Sequence, residues 1–154
     1  MKTTINELEL NSEITRSIIV GLDRFCRYLT LMAQRPRRSG KPLVLFLESF
    51  PGVDWEPLIR RLEEAFRRAA LKTYFINAEK IYKSPDEIEK LIQPYLGFDK
   101  YFGKIYEGDI YDFIDSEKAV KLRDAIRDLQ NSESKSVIIC FGSGIFNKFV
   151  RKFC

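Results

Sequence analysis

Apolar residues recur three or four apart through residues 12–32. Ile14, Ile18, Leu22, Phe25, Leu29 and Met32 fall on one stripe, which predicts a single amphipathic helix. Asn11 or Ser12 is placed to cap its start. Residues 33–42, AQRPRRSGKP, break the period with two prolines and a glycine and predict an exposed loop. The pattern then changes. LVLFL, residues 43–47, is continuously apolar, as a strand covered on both faces is. Helical spacing returns from Trp55 to about Ala70, with Leu58, Leu62, Ala65, Phe66 and Ala69 on one face. KTYFI, residues 72–76, predicts a second strand.

Ser84, Pro85 and Glu87 fit a capping box with proline in the first helical position. The helix they open shows Ile88, Leu91, Ile92 and Tyr95 on its apolar side, and Pro94 distorts or closes its last turn. Residues 97–115, GFDKYFGKIYEGDIYDFID, are aromatic, acidic and punctuated by glycine, without a steady period. A further helix is predicted from about Ser116 to Leu129, burying Ala119, Leu122, Ile126 and Leu129. SVIICF, residues 136–141, predicts a core strand that ends in a GSG turn. Strands separated by helices of this length imply one α/β domain, a three-layer sandwich with a mostly parallel sheet. Residues 1–35 form its N-terminal helix region and residues 41–145 its core. The last ten residues, IFNKFVRKFC, hold Ile145, Phe146, Phe149 and Val150 beside that strand. This apolar ending gives the expectation that residues 1–154 are the N-terminal part of a longer protein, or a shortened remnant.

Composition narrows the chemistry. A chain of 154 residues with 45% hydrophobic residues can bury one core. The net charge of +4, from 26 basic and 22 acidic residues, is too mild to imply nucleic acid. Histidine is absent, so no histidine base, ligand or triad comes from this chain. Cys26, Cys140 and Cys154 are too far apart for a paired metal site or a disulfide framework, which fits a reducing cytoplasm. Acids interrupt MKTTINELEL before any apolar run forms, so it is not a secretory signal. No uncharged apolar stretch approaches the ~20 residues of a membrane span.

Three loops are candidates for chemistry. ESFPGVDWEP, residues 48–57, follows a strand and precedes a helix, where a phosphate loop can stand. Such a loop needs glycines to free its amides, a lysine for the outer phosphates and Ser or Thr for magnesium. Here Glu48 opens the loop, Gly52 is its one glycine, and Asp54 stands near the place of the lysine. A like-charge contact at ~4 Å costs roughly 4 kcal/mol at an effective dielectric of ~20. Ordinary ATP hydrolysis or phosphoryl transfer is therefore rejected at this loop. As structure, Pro51 and Gly52 make a turn, Asp54 caps the helix, Pro57 is tolerated in its first turn, and Trp55 covers a core edge. As a modified ligand site, Glu48 contacts a hydroxyl-rich or cationic group.

FGSGIF, residues 141–146, is the better anion candidate. Gly142, Ser143 and Gly144 can expose amides and a hydroxyl after the last strand, or simply turn the chain. YEGDIYDFID places Glu107, Asp109, Asp112 and Asp115 together, either as a solvated acidic edge with aromatic packing or as a functional cleft. The segment lacks the spacing of a calcium-binding loop, and no metal or cofactor is assigned. Arg35, Arg37, Arg38 and Lys41 form the densest basic patch, a surface for phosphates or an acidic partner, or an exposed loop. Cys140 reads as a small buried apolar residue, and Cys154 has no evident activating base.

The order of LVLFLESFPGVDWEPLIRRLEEAF, FGKIYEGDIYDFID and SVIICFGSG resembles a domain found beside class I mannose-6-phosphate isomerases in some bacteria. That domain is itself similar to nucleoside-kinase-like P-loop folds with an eroded phosphate loop. The resemblance covers roughly residues 40–145. It implies a P-loop-like α/β fold, an association with sugar-phosphate metabolism and an isomerase partner, and binding of a phosphosugar or nucleotide. Phe102, Gly103, Glu107, Gly108, Phe113 and Asp115 would line or brace a cleft, with Gly142 and Gly144 at the end of the last strand. Isomerase activity does not carry over, because the zinc-binding histidines belong to the cupin domain of those enzymes. The expected function is thus a non-catalytic or accessory domain, with ligand-binding candidates Glu48, Asp54, Glu107, Asp109, Gly142, Ser143 and Gly144. A metal-dependent small phosphotransferase and a protein-interaction module are the alternatives.

Overall fold

A computed structural model of the chain describes residues 11–36, 40–97 and 103–143. Three strands, β1 (Leu43–Ser49), β2 (Thr73–Asn77) and β3 (Val137–Ser143), form one parallel sheet in the order β1-β3-β2. All seven residues of β3 are buried. A strand this apolar needs neighbours on both edges and helices on both faces, and the topology supplies them. Val137 stands opposite Leu43 of β1 and Thr73 of β2, and the pairing with β1 continues to Ser143 opposite Ser49.

Successive side chains of β3 point to opposite faces. Val137 and Ile139 meet α2 (Leu22–Gln34) and α3 (Glu56–Arg68) through Cys26, Leu29, Ala33, Leu62 and Phe66. Ile138 and Cys140 meet Ile126 of α5 (Ser116–Ser132), with Leu122 and Leu129 alongside. The result is a mixed α/β domain, a small parallel sheet flanked by helices on both faces. Burying one large apolar side chain in such a core contributes about 1.5–3 kcal/mol.

The predicted helix over residues 12–32 is two helices, α1 (Ser12–Ser17) and α2. The consecutive β-branched residues Ile18, Ile19 and Val20 disfavour helix, and Gly21 adopts φ +97°, outside helical geometry. The stripe correspondingly buries only its later part: Ile14 and Ile18 are exposed, whereas Leu29 is buried. Asn11 does cap α1, accepting from the Ile14 amide at 2.8 Å.

The last strand also departs from expectation. Gly142 and Ser143 belong to β3 rather than to a turn, because Glu48 and Ser49 of β1 continue the pairing opposite them. The capping box stands as predicted at α4 (Pro85–Ile92), where Ser84 and Glu87 exchange bonds; a 3₁₀ turn over Gln93–Tyr95 takes up Pro94. No helix among the described residues is long and apolar enough to cross a membrane.

Candidate functional site at the carboxyl ends of the strands

A parallel sheet gathers its strand ends on one edge, here Ser49, Asn77 and Ser143. Ligands of α/β domains commonly bind outside this edge. A polar network occupies it. Ser143 is only 3% exposed, so its hydroxyl must find its partners inside the protein. It donates to Glu79 Oε1 at 3.0 Å, and Phe50 O and Ser49 Oγ lie at 3.2 and 3.3 Å. A hydroxyl has one proton, and the carboxylate is the strongest acceptor in reach. Ser49 then has Phe50 O at 3.0 Å or Ser143 Oγ for its own proton.

Glu79 stands in the 3₁₀ turn Ala78–Ile81 that follows β2. The Asn77 side chain caps this turn by accepting from the Glu79 amide at 2.8 Å, which holds the glutamate beneath β3. Its Oε1 also accepts from Trp55 Nε1 at 3.3 Å. Both of these side-chain bonds fall on one oxygen, so among the described residues Oε2 keeps its acceptor capacity. Tyr82 donates to Ser143 O at 2.6 Å. Burial pushes the Tyr82 phenol above its ordinary range, and the nearby carboxylates of Glu79 and Glu48 push it the same way. Four residues from two chain segments, Ser49 and Phe50 at the end of β1 and Glu79 and Tyr82 after β2, thus converge on one serine.

The β1–α3 loop behaves as a built turn. Gly52 adopts φ +87°, which glycine permits. Asp54 accepts from the Glu56 amide at 3.0 Å, at the head of α3. Trp55 is buried and packs on Phe141, ring centroids 5.4 Å apart at 53°. Beside this loop lies an open cleft of about 420 Å³ lined by Glu48, Ser49, Phe50, Pro51 and Ile110. Its size is that of a small-molecule site. Phe50 is 86% exposed, an apolar surface open to solvent. Glu48 is exposed, and among the described residues no basic side chain stands on the lining.

Ile110 brings the acidic segment to this cleft. The segment is pinned there by backbone bonds of Lys83 to Phe113 O at 2.9 Å and of Asp115 to Ile81 O at 2.9 Å. Its acids mostly hold backbone. Asp109 accepts from the Ile110 amide at 2.6 Å and heads the 3₁₀ turn Ile110–Phe113. Asp112 accepts from the Asp109 amide and from Tyr106 OH, both at 2.9 Å. These bonds, the amide first, hold the Asp112 carboxyl below its usual range, with Lys83 adding to them. Asp115 caps α5 through the amides of Glu117 and Lys118. Tyr106 packs between Tyr95 and Phe113, centroids 4.9 and 5.1 Å away. Two glycines are required for closeness: a Cβ at Gly103 would lie 2.8 Å from Tyr95 O, and one at Gly108 would strike the Asp112 carboxylate and the Tyr106 ring. Glu107 is exposed.

The structure therefore brings Glu48 and Ser143 to one edge, with Asp109 adjacent through Ile110, and puts Asp54 at the head of α3. Gly144, Phe102, Arg37, Arg38, Cys154 and the terminal apolar residues lie outside the described residues. Gly142 serves β3, with φ +153° opposite Glu48. Among the described residues, no three acids or cysteines converge in a metal-binding arrangement. Burial pushes the Cys140 thiol up to about 12, so it remains protonated and inert. Glu79, Ser49 and Tyr82 escaped sequence reasoning. A glutamate three residues beyond the predicted strand at 72–76 was the available signal for Glu79, a weaker form of the one at Glu48, which directly follows the predicted strand at 43–47.

Strand order, parallel pairing and a polar rim at the strand ends define an α/β domain whose described residues form a three-stranded parallel sheet. Residues 22–148 match a family described as a domain of unknown function, DUF8485, and the chain belongs to that family. No curated protein and no solved structure matches it.

Proposed function

We propose that this is a non-catalytic accessory domain that binds a hydroxyl-rich small molecule, a phosphosugar or a nucleotide, in the cleft beside Glu48 and Phe50. The observation that carries it is the cleft itself, at the carboxyl edge of the sheet, with an acceptor carboxylate next to an uncovered aromatic ring. A sugar hydroxyl is a donor suited to Glu48, and the C–H face of a sugar or the face of a base is suited to Phe50. Any phosphate on the ligand points out of the cleft, because a carboxylate repels it and no cation among the described residues of the lining would offset that. The succession of a strand, a glycine-poor loop and a helix at this edge supports the P-loop-like reading. The resemblance noted in the sequence supports a role beside a sugar-phosphate isomerase.

A thermal-shift series with sugar phosphates and nucleotides, with and without magnesium, tests this. A ligand that binds the folded state raises the melting temperature. The expected result is a rise for one of these classes that Glu48→Gln and Phe50→Ala each abolish. No rise at millimolar ligand would remove the proposal, and magnesium-dependent turnover would replace it with a phosphotransferase.

A further inference from the structure

We propose that the free edge of β2 is a docking site for an extended acidic segment of a partner polypeptide, which joins the sheet as an added strand. Among the described residues, β2 pairs with β3 alone. The backbone phase is fixed by the Val137 amide, which donates to Lys72 O at 2.9 Å. In a parallel ladder, alternate residues aim their N–H and C=O at the same neighbour. Lys72, Tyr74 and Ile76 therefore face β3, and Thr73, Phe75 and Asn77 turn their backbone groups outward. Among the described residues, no backbone bond outside the sheet closes these groups. Such a row is a template for strand addition.

Clefts flank the edge on both faces. On the α3 side Arg67, Leu71 and Phe75 border a space of about 420 Å³. On the α5 side Ile76, Lys80, Lys121 and Leu122 border another of about 420 Å³. Alternate side chains of an added strand would enter one and then the other. The charge around both is nearly of one sign: Arg67, Lys72, Lys80, Lys118 and Lys121 against Glu63. Lys72 is held by Glu133 at 2.7 Å, and Lys118 lies 3.6 Å from Asp115 while donating to Tyr82 O. Arg67, Lys80 and Lys121 make no ion pair with any described residue. Lysines on an edge also keep like edges apart, since a second copy would oppose the same charges. The complementary occupant is an acidic strand, with carboxylates toward Lys80 and Lys121 and apolar side chains toward Leu71 and Phe75.

Fluorescence anisotropy of the full chain with a labelled Glu-Val-Glu-Val-Glu-Val-Glu peptide tests this. Saturable binding is expected, weakened about tenfold or more by Lys80→Glu with Lys121→Glu. Both lysines are exposed, and an unchanged circular dichroism spectrum verifies that the variant folds. The same peptide, N-methylated at alternate amides along its ladder-forming edge, is expected to lose binding, because it cannot complete the hydrogen bonds. No saturation by about 1 mM, equal affinity for the methylated peptide, or equal affinity for the charge-reversed variant would each overturn the docking site.

Discussion

β3 contains two regions with opposite chemistry. Its first part, Val137 to Cys140, is apolar, buried and touched by helices from both faces. Its last residue, Ser143, is equally buried but bonded to a carboxylate from the turn after β2 and a phenol from the residue following that turn. The first region holds the fold by burial, which is non-directional and tolerates exchange of similar shapes. The second holds geometry, because each donor needs a particular acceptor. The cleft beside Glu48 and Phe50 lies against that second region, so its shape depends on bonds rather than on bulk.

Substitutions separate the two. Phe66→Ala, in the core beneath Val137 and Ile139, is expected to cost about 3–5 kcal/mol in urea unfolding. Glu79→Ala removes the acceptor of both Ser143 and Trp55 and is expected to cost about 1–3 kcal/mol. Trp55 is the one tryptophan, so its emission should change with Glu79→Ala, whereas it stays at the native wavelength if the indole bond is dispensable. Glu79→Gln keeps an acceptor oxygen and should cost less than Glu79→Ala; equal losses would mean that packing, not bonding, sets the rim.

Tyr82→Phe comes next, at about 0.5–1.5 kcal/mol for one hydrogen bond. Its pH signature is more telling than its size. The folded phenol titrates above its ordinary value of 10.0, so its stabilisation is complete below that pH and is lost as pH rises through the folded value. The alkaline limb of the stability profile should flatten in Tyr82→Phe, and an unchanged limb would assign the loss elsewhere. At the small end, Glu48→Gln and Phe50→Ala should alter stability by no more than about 0.5 kcal/mol, because both side chains are exposed. A large loss would make them parts of the fold rather than of a binding surface. Cys140 should resist alkylation until the chain unfolds.

The two regions were unequally legible in the sequence. SVIICF announced β3 because burial on both faces writes itself as an uninterrupted apolar run. The capping box at Ser84 was readable because its partners are three residues apart. Ser143 and Glu79 are 64 residues apart, and Ser143 and Ser49 are 94 apart. Only the strand register brings these together, and no local pattern encodes it. The break at Gly21 was hidden by a period that continues through the break even though the backbone does not. The acids of residues 109–115 were visible, but their capping of turns and helix was not, since a carboxylate reads alike whether it meets solvent, ligand or amide.

Amide shifts of the isotope-labelled chain, titrated with mannose 6-phosphate and with ATP in separate series, test the cleft most directly. Saturable shifts centred on Glu48, Ser49, Phe50 and Ile110, absent in Glu48→Gln, are predicted for one of the two. Saturable shifts confined to other parts of the chain, or none at millimolar concentrations of either compound, would contradict a ligand site at the carboxyl edge of the sheet.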